Sequence, residues 1–133
     1  MEINTRHNIC SIGSDMVSVE RIRQAVGKFG ERFLSRVYTG GERQYCMARR
    51  DPYPCYAARF AAKEAVLKAL GTGLTGGCSW RNVEVVSSKQ GVPGVKLHGR
   101  AALLAREQGI KTFLLTLSHD DAYAIALVVA LGD

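Results

Sequence analysis

The run Arg59-Phe60-Ala61-Ala62-Lys63-Glu64-Ala65-Val66-Leu67-Lys68-Ala69-Leu70-Gly71 has the composition of a strong helix, yet it places charges where an apolar face belongs. At about 100° per residue, Tyr56, Phe60, Leu67 and Leu70 share one stripe, with Lys63 inside it and Glu64 on its edge. Burying either charge without a partner is costly, so the pair must meet another charged group, a metal or a solvent-filled site. Lys68 follows Glu64 by four residues and Arg59 precedes Lys63 by four, so the four ionic groups lie along adjoining ridges. The simpler alternative is an exposed helix on which Glu64 and Lys68 form a surface pair worth ~0.3–0.5 kcal/mol. The helix taken alone leaves both readings open.

A chain of 133 residues with 47% hydrophobic content suits one domain with a genuine core. No low-complexity tract or solenoid-length repeat interrupts it. The formal charge of +6 favours an anionic partner, whether nucleic acid, phosphorylated metabolite, acidic protein or membrane surface. The basic residues are dispersed, with enrichment at Arg21, Arg23, Lys28 and Arg32 and at Arg43, Arg49 and Arg50, which argues against a continuous nucleic-acid tail. No stretch approaches the ~20 apolar residues of a membrane span, and Met1 to Asn8 lack the apolar centre of a signal peptide. Cys10, Cys46, Cys55 and Cys78 show no C-x-x-C spacing, and with only three histidines available they read as reduced thiols of a cytoplasmic protein.

Residues 9 to 17 read as a strand that breaks near Gly13 and carries Asp15 at its end. Ser18 then caps a helix with Val19, Ile22, Val26 and Phe29 on its apolar face, stopped by Gly30. Thr39 and Glu42 have the spacing of a capping box before a helix near residues 42 to 49. Pro54 suits the first turn of the long helix, which should run to about Leu70. Gly71 to Gly77 is rich in small residues that either let a backbone approach a phosphate or simply stop the helix. Strands are expected at Val83–Val85 and Val95–Leu97, a helix over 99 to 108, and two strands over Thr112–Ser118 and Tyr123–Leu131. The last strand is apolar on both faces and should be central. The expected class is α+β, an antiparallel sheet against one long helix, with residues 1–8 an extension and 9–133 a single domain.

Asp15 and Glu64 are carboxylates on separate elements, each among basic and small residues without soft ligands nearby. That donor chemistry suits Mg²⁺ completed by water and phosphate oxygens. A turn or cap acid is the simpler reading of Asp15, as a cap is for Glu42.

Three segments together carry a resemblance: Ile12-Gly13-Ser14-Asp15, Arg59-Phe60-Ala61-Ala62-Lys63-Glu64-Ala65 continuing to Lys68-Ala69-Leu70-Gly71, and Ser118-His119-Asp120 with Tyr123-Ala124. They closely resemble holo-acyl-carrier-protein synthases, the bacterial short-chain 4′-phosphopantetheinyl transferase family. Thr39-x-x-Glu42, Trp80 and Gly91-x-Pro93 also fit its pattern. Ser118, His119 and Asp120 are consecutive and point in different directions on a strand, so they are no hydrolase triad.

The resemblance implies transfer of phosphopantetheine from coenzyme A to a serine of apo-acyl carrier protein, releasing adenosine 3′,5′-bisphosphate, in support of fatty acid biosynthesis. It makes Asp15 and Glu64 the Mg²⁺ ligands and directs Lys68 to the pyrophosphate. Arg59 and His119 are directed to the nucleotide 3′-phosphate, with Lys63 and Gly71 as further coenzyme A contacts. Glu42 becomes the candidate to orient a water that takes the serine proton. The acidic carrier gives Arg21, and then Lys28, a docking role. A homotrimer with sites between subunits is implied as well. Longer members carry a second acid two residues after the first, where this chain has Val17, so a water should fill that coordination position.

Residues 1–8, Met16, and the Pro-rich loop flanked by Cys46 and Cys55 depart from the family pattern, but no expected ligand is missing. A small basic nucleic-acid-binding domain is the competing reading; it lacks a stacking pattern and leaves Asp15 and Glu64 unexplained. A catalytically idle scaffold is the other.

Overall fold

The computed structural model describes residues 8–71 and 76–133. Ten elements follow in chain order: β1 (Ile9–Ser18), α1 (Val19–Phe29), α2 (Glu31–Val37), α3 (Gly40–Met47), α4 (Tyr53–Leu70), β2 (Val83–Ser87), β3 (Pro93–Leu97), α5 (Gly99–Glu107), β4 (Thr112–His119) and β5 (Tyr123–Leu131), with a short 3-10 turn at Trp80–Asn82. Of the extension expected over 1–8 only Asn8 is described. Its carbonyl accepts from Gly132 N at 2.8 Å, which ties it to the C-terminal end of the chain.

Helix α4 is the axis of the fold. Pro54 stands in its first turn, and Gly71 closes it in the left-handed conformation, φ 81°. Thirteen of its eighteen residues are buried, so it is enclosed on nearly every side rather than along one stripe. Six of those are alanines, Ala57, Ala58, Ala61, Ala62, Ala65 and Ala69, whose small side chains let strands lie close against the helix backbone.

The expected antiparallel sheet is present but divided. One sheet has the order β1-β5-β4; β2 and β3 form a separate hairpin. In the first, Asp15 lies opposite Ala126, and His119 opposite Ala124. Central β5 buries Ala124, Ala126, Val128 and Ala130, and turns Tyr123, Ile125 and Leu127 outward. With Ile12, Met16 and Leu114 these make a solvent-facing apolar surface on a single chain.

Ser18 caps α1 as expected, its hydroxyl accepting from Arg21 N. Phe29 does not join the apolar face: it is 49% exposed at the end of α1, where Gly30 turns the chain away. Thr39 and Glu42 form the reciprocal capping box of α3. An aromatic cluster ties α2 to α4, with Tyr38 against Tyr56 at 4.6 Å and Phe60 against Trp80 at 4.9 Å.

Cys46 and Cys55 are joined as a disulfide, their Cα atoms 5.5 Å apart, so the expectation of four free thiols fails for this pair. The end of α3 and the start of α4 are packed together across the intervening loop, a proximity no local spacing rule encodes. Cys10 and Cys78 are free.

Candidate active site

Alternation along β1 sends Ser11, Gly13 and Asp15 toward α4. Ser11 Oγ donates to the Ala69 carbonyl at 2.7 Å. Gly13 rests against the backbone of Ala65, and Asp15 Oδ1 accepts from Lys68 Nζ at 3.0 Å. Lys68 Nζ also donates to the Ser14 carbonyl at 3.0 Å.

Glu64, one turn before Lys68, lines the same cleft as Asp15, a space of about 670 Å³ whose wall includes Arg21, Phe33, Phe60 and Tyr123. Burial raises the Glu64 carboxyl above its ordinary value; the Asp15 charge adds to the rise, and Lys68 opposes it. Two carboxylates thus share one cleft, and their mutual repulsion is relieved by a cation. Among the described residues no group of three or more His, Cys, Asp or Glu converges. A dication held by Asp15 and Glu64 alone would keep most of its coordination for water and phosphate oxygens, which is the habit of Mg²⁺. The donor set therefore fits the metal expected from the sequence.

A second cavity of about 380 Å³ includes Tyr45, Arg49, Arg59 and His119 in its lining, together with Asp51, Asp120 and Asp121. The Arg59 guanidinium lies 4.1 Å from the Tyr45 ring centroid and that of Arg49 4.4 Å from it, so one phenol organises two cations. Arg59 Nη2 donates to Ser87 Oγ at 3.3 Å, while its Nε is buried without a partner among the described residues. Burial pulls the Arg59 pKa down, and the neighbouring Arg49 charge pulls the same way. Both effects are offset when an anion enters. His119 closes β4, and Asp120 Oδ1 accepts from the Ala122 and Tyr123 amides at 2.8 Å to form the turn into β5. Arg59 and His119 are thus brought to one cavity as expected. Arg49 and Tyr45 join them unforeseen, although their four-residue spacing was a readable signal of a stacked pair.

Three expectations fail on geometry. Lys63 is fully buried and aims away from both cavities: Nζ pairs with Glu42 Oε1 at 2.7 Å and donates to the carbonyls of Trp80 and Val83. Glu42 is equally enclosed, its oxygens accepting from Thr39 N and Val85 N at 2.8 Å each. Lys63 is therefore no phosphate contact, and Glu42 has no route to orient a water beside a substrate. The charge inside the apolar stripe is explained by an internal ion pair. Gly71 N is already spent on the Leu67 and Lys68 carbonyls, so Gly71 serves as a cap rather than a phosphate cradle. Thr72 to Thr75, within the small-residue loop, lie outside the described residues.

Arg21 is exposed at the cleft holding Asp15, and Lys28 is exposed two turns further along the same side of α1, about 10 Å away at 1.5 Å per residue. Asp15 with Glu64 and Arg59 with His119 line different cavities of a single chain.

Residues 11–128 match the model of the 4′-phosphopantetheinyl transferase superfamily. A holo-[acyl-carrier-protein] synthase of Desulforudis audaxviator is 52% identical over 124 residues, spanning 93% of this chain and 94% of that protein. That of Koribacter versatilis is 44% identical over 121 residues, spanning 91% of this chain and 97% of that protein. Among solved structures, the Neisseria meningitidis holo-[acyl-carrier-protein] synthase superposes with a TM-score of 0.83 at 38% identity, covering 92% of this chain and 98% of that one. The Helicobacter pylori enzyme in complex with coenzyme A superposes at 0.79 with 31% identity, covering 90% and 98%. With its strand carboxylate, helix carboxylate and lysine in place, the chain belongs to the 4′-phosphopantetheinyl transferase superfamily, among the holo-[acyl-carrier-protein] synthases.

Proposed function

We propose that this chain moves the 4′-phosphopantetheine group from coenzyme A to a serine hydroxyl of an acidic apo-acyl carrier protein, with Mg²⁺ held by Asp15 and Glu64. The meeting of Asp15 and Glu64 in one cleft, with Lys68 Nζ on the Asp15 carboxylate from fifty-three residues away in sequence, is the observation that carries this reading. The serine oxygen–phosphorus bond forms as the bond to adenosine 3′,5′-bisphosphate breaks, and the serine proton ends on the leaving phosphate or in solvent. When bound, Mg²⁺ supplies a Lewis acid for pyrophosphate oxygens. Lys68 neutralises charge growing on the leaving group. Arg59 and His119, now with Arg49, hold the nucleotide 3′-phosphate, a coenzyme A feature that stays distant from the bond being broken.

Arg21 at the cleft mouth, with Lys28 along the same side, presents positive charge to the carrier. Contacts of this kind set encounter rate and orientation. The reading includes a homotrimer in which a neighbouring copy completes the site. Two facts support that part: the two half-sites occupy separate cavities of one chain, and the outer sheet face at Ile12, Met16, Ile125 and Leu127 is exposed and apolar. A cytoplasmic setting and a role in fatty acid biosynthesis complete the proposal.

The test is incubation of apo-carrier with coenzyme A and Mg²⁺, reading the carrier's mass beside the Asp15→Ala and Glu64→Ala variants. Wild-type transfer lost in both variants is expected. Undiminished transfer in both would end the metal assignment.

A further inference from the structure

The seam between β1 and α4 is unusually close at one position. A Cβ built on Gly13 would stand 2.0 Å from the Ala65 carbonyl oxygen, 3.0 Å from its carbon and 3.1 Å from Ala69 N. All three atoms are backbone, so no side chain can move aside. Ordinary contact begins near 3.4 Å, so any other residue would hold the strand off by 1.4 Å, the difference between 3.4 and 2.0. Gly13 lies two residues before Asp15 on the same strand face, and Ala65 directly follows Glu64 on the helix.

We propose that Gly13 is a positioning residue: by letting β1 rest on the α4 backbone, it sets the separation of Asp15 from Glu64 and Lys68 and makes a short aspartate arm the right length. This rests on the metal-site reading above. The 1.4 Å displacement is close to one carbon–carbon bond, about 1.5 Å, which is the length by which glutamate exceeds aspartate. The seam therefore makes a prediction that loss of stability alone would not. Gly13→Ala should weaken the site, Asp15→Glu in the native background should overshoot, and the two together should partly restore it.

The experiment is Mn²⁺ titration followed by electron paramagnetic resonance, on wild type, Gly13→Ala, Asp15→Glu, the double variant and Asp15→Ala, with folding checked by circular dichroism. Gly13→Ala should lose at least about tenfold in Mn²⁺ affinity, the usual effect of disturbing the support of a metal ligand, and the double variant should recover part of that loss. Val128→Ala, cut from a buried side chain opposite Gly13 on β5, should lower the melting temperature yet keep Mn²⁺ affinity.

If Gly13→Ala does not fold, Ser11→Val serves as a milder wedge on the same seam, since its methyl replaces a hydroxyl 2.7 Å from the Ala69 carbonyl. Its loss of affinity should again be reduced by Asp15→Glu. A folded Gly13→Ala or Ser11→Val with native affinity, or a double variant no better than its single wedge, would overturn the positioning role. Wild-type affinity no higher than that of Asp15→Ala would instead overturn the metal-site reading, and the proposal with it.

Discussion

Lys68 Nζ stands 3.0 Å from Asp15 Oδ1, bridging α4 to β1 across fifty-three residues of sequence. The lysine is 56% exposed and the aspartate 19% exposed, so the pair contributes little to stability, on the order of 0–1 kcal/mol. Its value is geometric, since it fixes a carboxylate beside Glu64 and keeps a cation at the cleft. Lys68→Ala is expected to lower kcat at least about a hundredfold, with little change in melting temperature. Steady-state kinetics with calorimetry check both halves, and an equal loss of stability and rate would point to a structural role.

The Glu64 carboxyl is raised above its ordinary value of 4.5, chiefly by burial and then by Asp15. A raised carboxyl binds its proton more tightly when folded, so its ionisation weakens the fold as pH climbs above 4.5. Metal-free Glu64→Gln should therefore be more stable than metal-free wild type at neutral pH, with the advantage vanishing below the ordinary value. Saturating Mg²⁺ should raise the wild-type melting temperature and leave that of the variant unchanged.

Breaking the buried Lys63–Glu42 pair should be severe. Lys63→Ala or Glu42→Ala leaves an uncompensated buried charge, a loss of about 3–5 kcal/mol; the Lys63→Met/Glu42→Leu double variant should recover part of it. Urea denaturation gives the cycle. The KM for coenzyme A should stay near native in whatever fraction folds, because neither side chain reaches a cavity.

If Arg59, Arg49 and His119 hold the 3′-phosphate, coenzyme A should be preferred to dephospho-coenzyme A by roughly 10- to 100-fold, as charged hydrogen bonds of about 1.5–3 kcal/mol would give. Arg59→Ala should nearly abolish that preference by weakening coenzyme A alone. Competition binding of the two compounds to both proteins measures it, and an undiminished preference in the variant would remove Arg59 from the site.

Alkylation of unreduced protein should label Cys10, and Cys78 on unfolding, but not Cys46 or Cys55. Labelling of all four before a reductant is added would show that the α3–α4 link does not form.

The order of elements was legible because each carries its own local signals. Ser18 and Thr39 announce helix starts, Gly30 and Gly71 announce stops, and β5 announces a central strand by being apolar on both faces. Motif resemblance singled out Asp15, Glu64, Lys68, Arg59 and His119, and the structure brings Asp15 and Glu64 to one cleft, with Lys68 on Asp15, and Arg59 and His119 to another. Lys63 was misdirected because helical periodicity fixes the side from which a side chain leaves the helix, not what waits there. A hairpin carbonyl, a turn carbonyl and Glu42 from another helix waited for it.

Sequence alone thus settled what is local or periodic: helix caps and stops, the helical character of α4, and the chemical types that a site could draw on. Only the tertiary structure decided which of those residues meet. Distances such as the seating of Gly13 on Ala65, the stacking of Arg49 and Arg59 on Tyr45, and the Cys46–Cys55 link arise from packing between elements, and spacing along the chain carries no record of them.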